Sequence, residues 1–310
     1  MKKATKMIAL ILAASAAFCT TGCGVSMGVF KHADKYTSGD FSTEATVKDL
    51  DIDWTSGSVT VSHHAQSEIT VRENCNAELK DREKLQTWLD GSTLHIRFCK
   101  PGVNFNLKNA KKNLEILLPE GMELNELDCD CTSADTKFTD IAAESISADL
   151  TSGSLQLLGC SAGKFTLDTT SGDITVEQKG KADSLLAETT SGKITVTAGT
   201  VGQLKLRSTS GDSELRLQQG DAVTVNCTSG SSVLHLDTLP ASVKISKTSG
   251  DVALYVPENA DFKAIVDMTS GKFDSDIMLK KDGNTYIAGS GSNQINIDTT
   301  SGDISIRSEG

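Results

Sequence analysis

The sequence predicts an all-β protein of the β-solenoid class, a single-stranded β-helix-like stack with about 19–20 residues and two strands per coil. Three observations predict it. Thr-Ser-Gly recurs every 19–21 residues between Thr151 and Thr269. Apolar residues keep fixed distances from each Thr, and apolar and polar residues alternate on both sides of each Gly. A two-sheet antiparallel sandwich and a sandwich-solenoid hybrid remain alternatives, although neither needs so constant a period.

The chain begins with the features of an exported protein. Three lysines, at positions 2, 3 and 6, precede an apolar run over residues 7–18. This run fits the apolar region of a signal peptide and is too short for a membrane-spanning helix. Residues 1–22 are therefore predicted to be a signal peptide that is removed from the mature protein.

The residues that follow the leader predict a lipid anchor. Gly22-Cys23 resembles the end of the lipobox of bacterial lipoproteins, with Thr20 where that motif favours Leu. We expect Cys23 to be the lipid-attachment residue, because a diacylated Cys anchors a protein stably. Residues 23–42 are polar and contain several Gly, which predicts a lipid-anchored tether. The predicted location is the extracytoplasmic face of the cell membrane, and the alternative is ordinary cleavage and secretion.

Residues 43–128 are predicted to be degenerate N-terminal β coils that cap the stack. Thr55 begins a Thr-Ser-Gly copy, but the next copy is the variant at Thr132, and the repeat is blurred between them. Terminal repeats are usually atypical because one of their faces has no neighbouring repeat. The spacing of Leu79, Leu85 and Leu89 predicts a short helix over residues 76–89.

Residues 129–310 form the predicted regular solenoid, with an insertion at about residues 273–297. Apolar residues lie five and three positions before each Thr and six positions after it, as Phe165, Leu167 and Val176 do around Thr170. The two strands of each coil would pair in parallel with those of the neighbouring coils, about 4.8 Å away. Unless the insertion folds over the last coil, its open edge is a site for strand addition or self-association.

Composition and charge exclude one large class of partner. The chain has 30 Lys and Arg against 41 Asp and Glu, which gives a formal net charge of −11. An acidic protein repels phosphate backbones, so we expect no nucleic-acid partner.

The cysteines and histidines predict no catalytic residue, cofactor or metal site. Cys129 and Cys227 occupy positions where other repeats place apolar or small residues, which predicts buried free thiols, and Cys75 with Cys99 is the pair for which a disulfide is least excluded. Cys129 and Cys131 lack a second pair of ligands at the spacing that a zinc site needs. The five His are scattered, and none is set beside a nucleophile in a known motif.

Acidic residues fall in two columns of the repeat, one before the Thr and one after the Gly. The first column contains Asp128, Asp130, Asp149, Asp168 and Glu188, and the second contains Asp173, Asp212, Asp251 and Asp303. Like charges on neighbouring strands repel each other, and such columns would attract cations such as calcium. The alternative is that these acids are turn and solvated-face residues paired with nearby Lys and Arg. Their uniform spacing singles out no pair for acid and base catalysis.

Four segments resemble a known family in their order and spacing. They are Ile52-Asp53-Trp54-Thr55-Ser56-Gly57, Leu117-Leu118-Pro119-Glu120-Gly121, Cys131-Thr132-Ser133-Ala134-Asp135 and Asp298-Thr299-Thr300-Ser301-Gly302-Asp303-Ile304. Over roughly residues 45–307 the chain resembles the "putative adhesin" family of bacterial β-strand repeat proteins, also called domain of unknown function 4097. The resemblance implies a membrane-anchored or secreted repeat protein of the bacterial envelope and supplies no catalytic residues.

These observations predict a non-enzymatic cell-envelope lipoprotein whose repetitive surface serves adhesion or scaffolding. The expected partners are the membrane, through the N-terminal lipid, an envelope glycan or protein ligand, and other copies of the chain through coil edges. One alternative is a self-assembling or stress-linked envelope component. A less favoured one is a polysaccharide-active β-helical enzyme.

Overall fold

The computed structural model describes residues 25–26, 30–105 and 111–309. The predicted signal peptide and Cys23 lie outside these residues. Within the described ranges no helix is long and apolar enough to cross a membrane. The secondary structure there is one 3-10 helix, Ala33–Lys35, and a series of strands that we number β1–β24 in chain order.

The strands of the N-terminal half are β1 Val25–Ser26, β2 Thr37–Ser38, β3 Phe41–Thr43, β4 Asp49–His64, β5 Ile69–Cys75, β6 Gln86–Asp90, β7 Thr93–Arg97, β8 Asn104–Phe105, β9 Lys112–Pro119, β10 Glu123–Thr139, β11 Ala142–Ser152 and β12 Leu155–Ser171. Those of the C-terminal half are β13 Ile174–Ser191, β14 Ile194–Ser210, β15 Ser213–Ser229, β16 Ser232–Leu236, β17 Ser242–Ser249, β18 Val252–Pro257, β19 Phe262–Ser270, β20 Phe273–Ser275, β21 Lys280–Asp282, β22 Thr285–Ala288, β23 Asn293–Ser301 and β24 Ile304–Glu309.

Parallel, in-register pairing of successive repeats builds the middle of the molecule. β12 pairs with β13 and β13 with β14, so that Leu167, Ala187 and Leu206 lie opposite one another on three successive coils. Each of these long strands contains the second strand of one coil and the first strand of the next. The predicted β-solenoid class is confirmed, and so is the parallel stacking of its coils.

Alternate residues of both strands of a coil are buried inside the stack. In one coil, Leu185 and Ala187 before the corner and Ile194 and Val196 after it are at most 1% exposed. Burying one such apolar side chain contributes roughly 1.5–3 kcal/mol, while ordering each residue costs roughly 1.5 kcal/mol. Because a coil buries so few of its residues this way, it depends on its neighbours for a continuous core.

The Thr-Ser-Gly corners stack backbone against backbone. A Cβ atom added to Gly192 would lie 2.1 Å from the carbonyl oxygen of Gly172, and the same approach recurs at corner glycines between Gly153 and Gly302. Glycine is required because a side chain would separate the coils and because φ is positive at these positions. The Thr and Ser of the same corners mostly face solvent, as at Thr190.

The second acid column ties successive coils together. Asp173 Oδ1 accepts a hydrogen bond from the Lys193 N–H at 2.7 Å, and Asp212 accepts one from the Ser231 N–H at 2.7 Å. Equivalent bonds of 2.8–2.9 Å are accepted by Asp135, Asp251 and Asp303. These acids therefore satisfy backbone donors of the next coil, a role that their position in a turn did not indicate.

At the C-terminal end the order of coils in space differs from their order in the chain. The last coil, β23 and β24, lies between β17–β18 on one side and β19–β20 on the other. The outermost coil is therefore that of Thr269. The predicted insertion folds over part of this coil, because β22 pairs antiparallel with β19 and β21 with β22. The insertion thus covers the outer edge of the stack along β19.

The N-terminal end shows the same exchange of order. β4 pairs with β10 on one side and with β7 and β9 on the other, so the coil of β7 and β9 is outermost. β6 and β5 cover that coil by antiparallel pairing, and β2 and β3 extend them. We call β2, β3, β5 and β6 with their connecting loops the N-terminal cap. The predicted helix over residues 76–89 is wrong, because antiparallel pairing with β7 makes residues 86–90 a strand.

A buried ion pair holds this end of the molecule together. Lys112 Nζ lies 2.6 Å from Glu73 Oε2, and the two side chains are 0% and 6% exposed. The ammonium group also donates to the Glu83 carbonyl oxygen at 2.7 Å and lies 4.3 Å from the centre of the Phe98 ring. Burial lowers the pKa of Lys112, although Glu73 opposes the change.

Part of the segment predicted as a tether belongs to the folded body. β1 pairs antiparallel with β8 through Val25 with Phe105 and Ser26 with Asn104. Tyr36 is only 9% exposed, and β2 and β3 pair with β6 and β5. Within the described residues, strand pairing thus begins at Val25, in a two-stranded sheet separate from the main sheet.

Candidate functional site

A column of acidic residues runs along the outer face of the stack, two positions before each corner Thr. Strand pairing places five acids on successive coils, followed at one end by Arg97 and at the other by Arg207. These five acids, which we call the acidic ladder, are Asp53, Asp130, Asp149, Asp168 and Glu188. Asp128, which the sequence analysis placed in this column, lies outside it, because strand pairing sets it opposite Asp51 and Ser147. Adjacent strands are about 4.8 Å apart, so the nearest neighbours of each carboxylate along the ladder are mostly carboxylates.

Burial and mutual repulsion raise the pKa of acids in the ladder. Partial burial, followed by the charges of Asp128 and Asp149, raises the pKa of Asp130 to about 6. Burial and then the neighbouring acids also raise the pKa of Asp168, and burial raises that of Asp53. The ladder therefore holds its negative charge less readily than isolated surface acids do.

Two side chains, Arg97 and His95, contact the acid beside the N-terminal end of the ladder. Arg97 donates to Asp51 at 2.6 and 2.9 Å, and His95 Nδ1 lies 2.5 Å from the same carboxylate. Burial opposes ionisation, but the contacts with Arg97 and His95 lower the pKa of Asp51.

Across the described ranges no three His, Cys, Asp or Glu side chains are arranged to hold a metal ion.

The six cysteines that the structure describes are free thiols. Cys75 and Cys99, the pair for which the sequence least excluded a disulfide, are not bonded to each other. Burial raises the pKa of Cys99 and Cys160 to about 11, which makes both weak nucleophiles at neutral pH. Five of the six are buried, and Cys75 is half-buried.

The histidines contact carboxylates, backbone carbonyls and aromatic rings. His63 and His64 lie 2.9 and 2.6 Å from backbone carbonyl oxygens. His235 stacks on the Tyr255 ring at 4.4 Å and lies 3.0 Å from a carboxylate oxygen of Glu309. These contacts account for the rings as parts of the fold and of its surface.

Three aromatic side chains form a cluster beside the N-terminal cap that the sequence did not predict. Phe30 and Tyr36 have ring centres 4.7 Å apart, and Tyr36 lies 5.6 Å from Trp88. His95 stacks on Trp88 at 5.0 Å, and these side chains line a surface groove of about 380 Å³. We call Phe30, Tyr36 and Trp88 the aromatic cluster. The available signal was the occurrence of Phe30 and Tyr36 in a segment otherwise polar enough to be taken for a tether.

Comparison with known proteins gives one family and several solved folds. The profile of the Toastrack DUF4097 family matches residues 47–307. A putative adhesin from Parabacteroides distasonis is 14% identical, with 87% of this chain and 97% of that chain covered and a TM-score of 0.48. A putative adhesin from Parabacteroides merdae is also 14% identical, with 89% and 97% covered and a TM-score of 0.43. One from Bacteroides fragilis is 13% identical, with 87% and 96% covered and a TM-score of 0.39. A search of curated proteins finds no match.

Proposed function

The chain belongs to the Toastrack DUF4097 family, and from this premise we propose that it is a non-enzymatic lipoprotein of the cell envelope that serves adhesion or scaffolding. The observation that carries the proposal is the repetition of polar groups in register along the outside of the stack. The acidic ladder and the exposed Thr and Ser of the corners present the same groups on coil after coil.

Such a surface suits a repetitive or extended ligand. Each exposed group makes a weak contact, but many contacts at fixed spacing add up when the ligand repeats as well. Because the coils share one parallel hydrogen-bonded sheet, the spacing of the groups is set by the backbone, about 4.8 Å per coil. An envelope glycan or an extended protein segment is the kind of ligand that we propose.

We further propose that Cys23 carries the lipid anchor and that the solenoid lies on the extracytoplasmic face of the cell membrane. The support is the signal-peptide pattern of residues 1–22 and the lipobox-like sequence that ends in Cys23. The regular stack would then extend from the membrane, with its polar columns open to ligands.

The capped ends argue against self-assembly as the main function. β22 pairs with the outer edge of β19, and β5 and β6 pair with the outer edges of β9 and β7. The exposed strand β21 carries Lys280, Lys281 and Asp282, and charged edge strands disfavour pairing with another chain. We therefore expect the protein to stay unpolymerised at high concentration.

Binding and turnover measurements test the proposal together. Purified protein would be assayed for binding to envelope glycans and to cells, with Asp130→Asn, Asp149→Asn and Asp168→Asn made singly and combined. The matched control is Glu177→Gln with Asp183→Asn, two exposed acids away from the ladder. We expect each single change to leave binding nearly intact and the triple change to weaken it. Turnover of a labelled glycan that one carboxylate change abolishes would contradict the proposal in favour of a β-helical enzyme.

A further inference from the structure

The aromatic cluster lies close to the predicted lipid anchor along the chain. Phe30 is seven residues from Cys23, so a fully extended chain brings it within about 25 Å of the acylated residue. β1 shortens the path further, because Val25 already pairs with Phe105. A chain of two residues, at most about 7 Å long, then separates Cys23 from the two-stranded sheet of β1 and β8.

The cluster has the composition of a membrane-interface surface. Trp and Tyr favour the boundary between headgroups and acyl chains, because their rings are apolar while their N–H and O–H groups remain hydrated. Phe30 and Trp88 are half-buried and so keep part of their rings at the surface. Lys31 and Lys35 are exposed beside them, and Lys35 Nζ lies 4.8 Å from the centre of the Trp88 ring. Long lysine side chains of this kind reach the phosphate groups of lipids.

The N-terminal part of the chain carries much less net negative charge than the rest. Residues 24–122 contain 12 Lys and Arg against 14 Asp and Glu, whereas residues 123–310 contain 15 against 27. An anionic membrane surface would repel the regular stack and tolerate the nearly neutral N-terminal part of the chain, which contains the cap. Asp34 and Asp90 near the cluster limit its attraction to anionic lipid, so apolar insertion of the rings carries the contact.

We infer that the N-terminal cap rests on the surface of the bilayer that holds the acyl anchor, with the exposed parts of the Phe30 and Trp88 rings in the headgroup region and the stack directed away. The inference rests on the proposed lipid anchor at Cys23. It gives the membrane a second contact besides the lipid, and it fixes which end of the solenoid faces outward.

The chain offers a matched pair of reporters, because it has two Trp. Trp88 belongs to the cluster, and Trp54 is 0% exposed inside the coil of β4. The full-length protein would be purified from a bacterial membrane and reconstituted in vesicles of phosphatidylethanolamine and phosphatidylglycerol that carry a nitroxide on a fraction of the headgroups. Quenching of Trp54→Phe reports Trp88, and quenching of Trp88→Phe reports Trp54. The difference between the wild type and Trp88→Phe gives the Trp88 signal again if Trp54→Phe fails to fold.

We expect Trp88 to be quenched at least about twice as strongly as Trp54, since only Trp88 lies at the depth that interfacial aromatic residues occupy. Mass spectrometry of the same samples shows whether Cys23 is acylated. Equal, weak quenching of both Trp in an acylated protein would overturn the inference and leave the proposed anchor intact. A mature chain without acyl groups would overturn both.

Discussion

Replacing Gly192 with alanine probes the backbone contact on which the stack depends. The new Cβ would lie 2.1 Å from the Gly172 carbonyl oxygen, so the two coils must separate by about 1.3 Å to reach the 3.4 Å of ordinary contact. Hydrogen bonds join the coils at this point, from the Gly172 N–H to Ser191 O at 2.9 Å and from the Ile174 N–H to Lys193 O at 2.9 Å. A displacement of this size breaks them.

The expected loss follows from these contacts. Two broken backbone hydrogen bonds cost about 1 kcal/mol each, and alanine at the positive φ of Gly192 costs about 1–2 kcal/mol more. We expect Gly192→Ala to lower the free energy of unfolding by about 3–4 kcal/mol. Gly180→Ala is the control, because Gly180 also has a positive φ but has no atom within 4 Å of the added Cβ. It should lose only about 1 kcal/mol.

Urea unfolding followed by circular dichroism measures both variants. Most of the difference between them reflects the coil-to-coil approach, and the remainder reflects the φ of Gly192, which is 149° against 74° at Gly180. Equal losses, or a loss below about 1 kcal/mol for Gly192→Ala, would refute the argument that the corners stack backbone against backbone.

Two further predictions concern buried charge and pH. Lys112→Met leaves Glu73 buried without its partner and should lower the free energy of unfolding by about 3–5 kcal/mol. Adding Glu73→Leu should restore part of this loss. A double variant whose melting temperature shows no recovery over that of Lys112→Met would contradict this prediction. Because the pKa of Asp130 rises from 3.8 to about 6 on folding, the folded state binds the proton more tightly, and unfolding free energy should increase as pH falls from about 7 towards 4. Asp130→Asn should flatten this slope in urea titrations at several pH values, and an unchanged slope would count against the pKa increase that burial and then the neighbouring acids give Asp130.

The repeat itself was predictable because each copy carries its own signal. The apolar positions around Thr170 and the Gly of each corner recur on successive copies, and identical local sequences favour identical local structure. Leu167 and Val176 accordingly lie in the core where their spacing placed them. Parallel stacking followed, because a coil can bury its apolar side only against a similar coil.

The order of the coils at both ends was not predictable from the repeat. Each copy can pair with any other, so the sequence around Thr269 and Thr300 does not encode which coil is outermost. Pairing of β23 with both β17 and β19 decides it. The long gap between the last two copies was the available signal, because a chain that returns to an inner position needs a longer connection.

The N-terminal cap and the role of the second acid column depended on contacts between distant residues. Leu85 and Leu89 have a spacing that suits a helix, yet pairing with β7 makes residues 86–90 a strand. Asp173 follows a turn glycine, which indicates a surface position, but only the coil above reveals that its carboxylate accepts the Lys193 N–H. Sequence patterns indicate the structure around such residues along the chain. They do not indicate contacts with residues that are distant in the chain.

Distances between pairs of spin labels test the parallel stack most directly. One label would replace Ser133 in a Cys75→Ser background, and the second would replace Ser229, Ser301 or Ser270 in turn, all of which lie in the same corner column. With about 4.8 Å per coil, pulsed electron paramagnetic resonance should give separations of about 24, 34 and 38 Å, so that position 301 is nearer to position 133 than position 270 is. Separations that do not grow by one strand spacing per coil, or a label at position 270 nearer than one at position 301, would contradict the stack and its coil order.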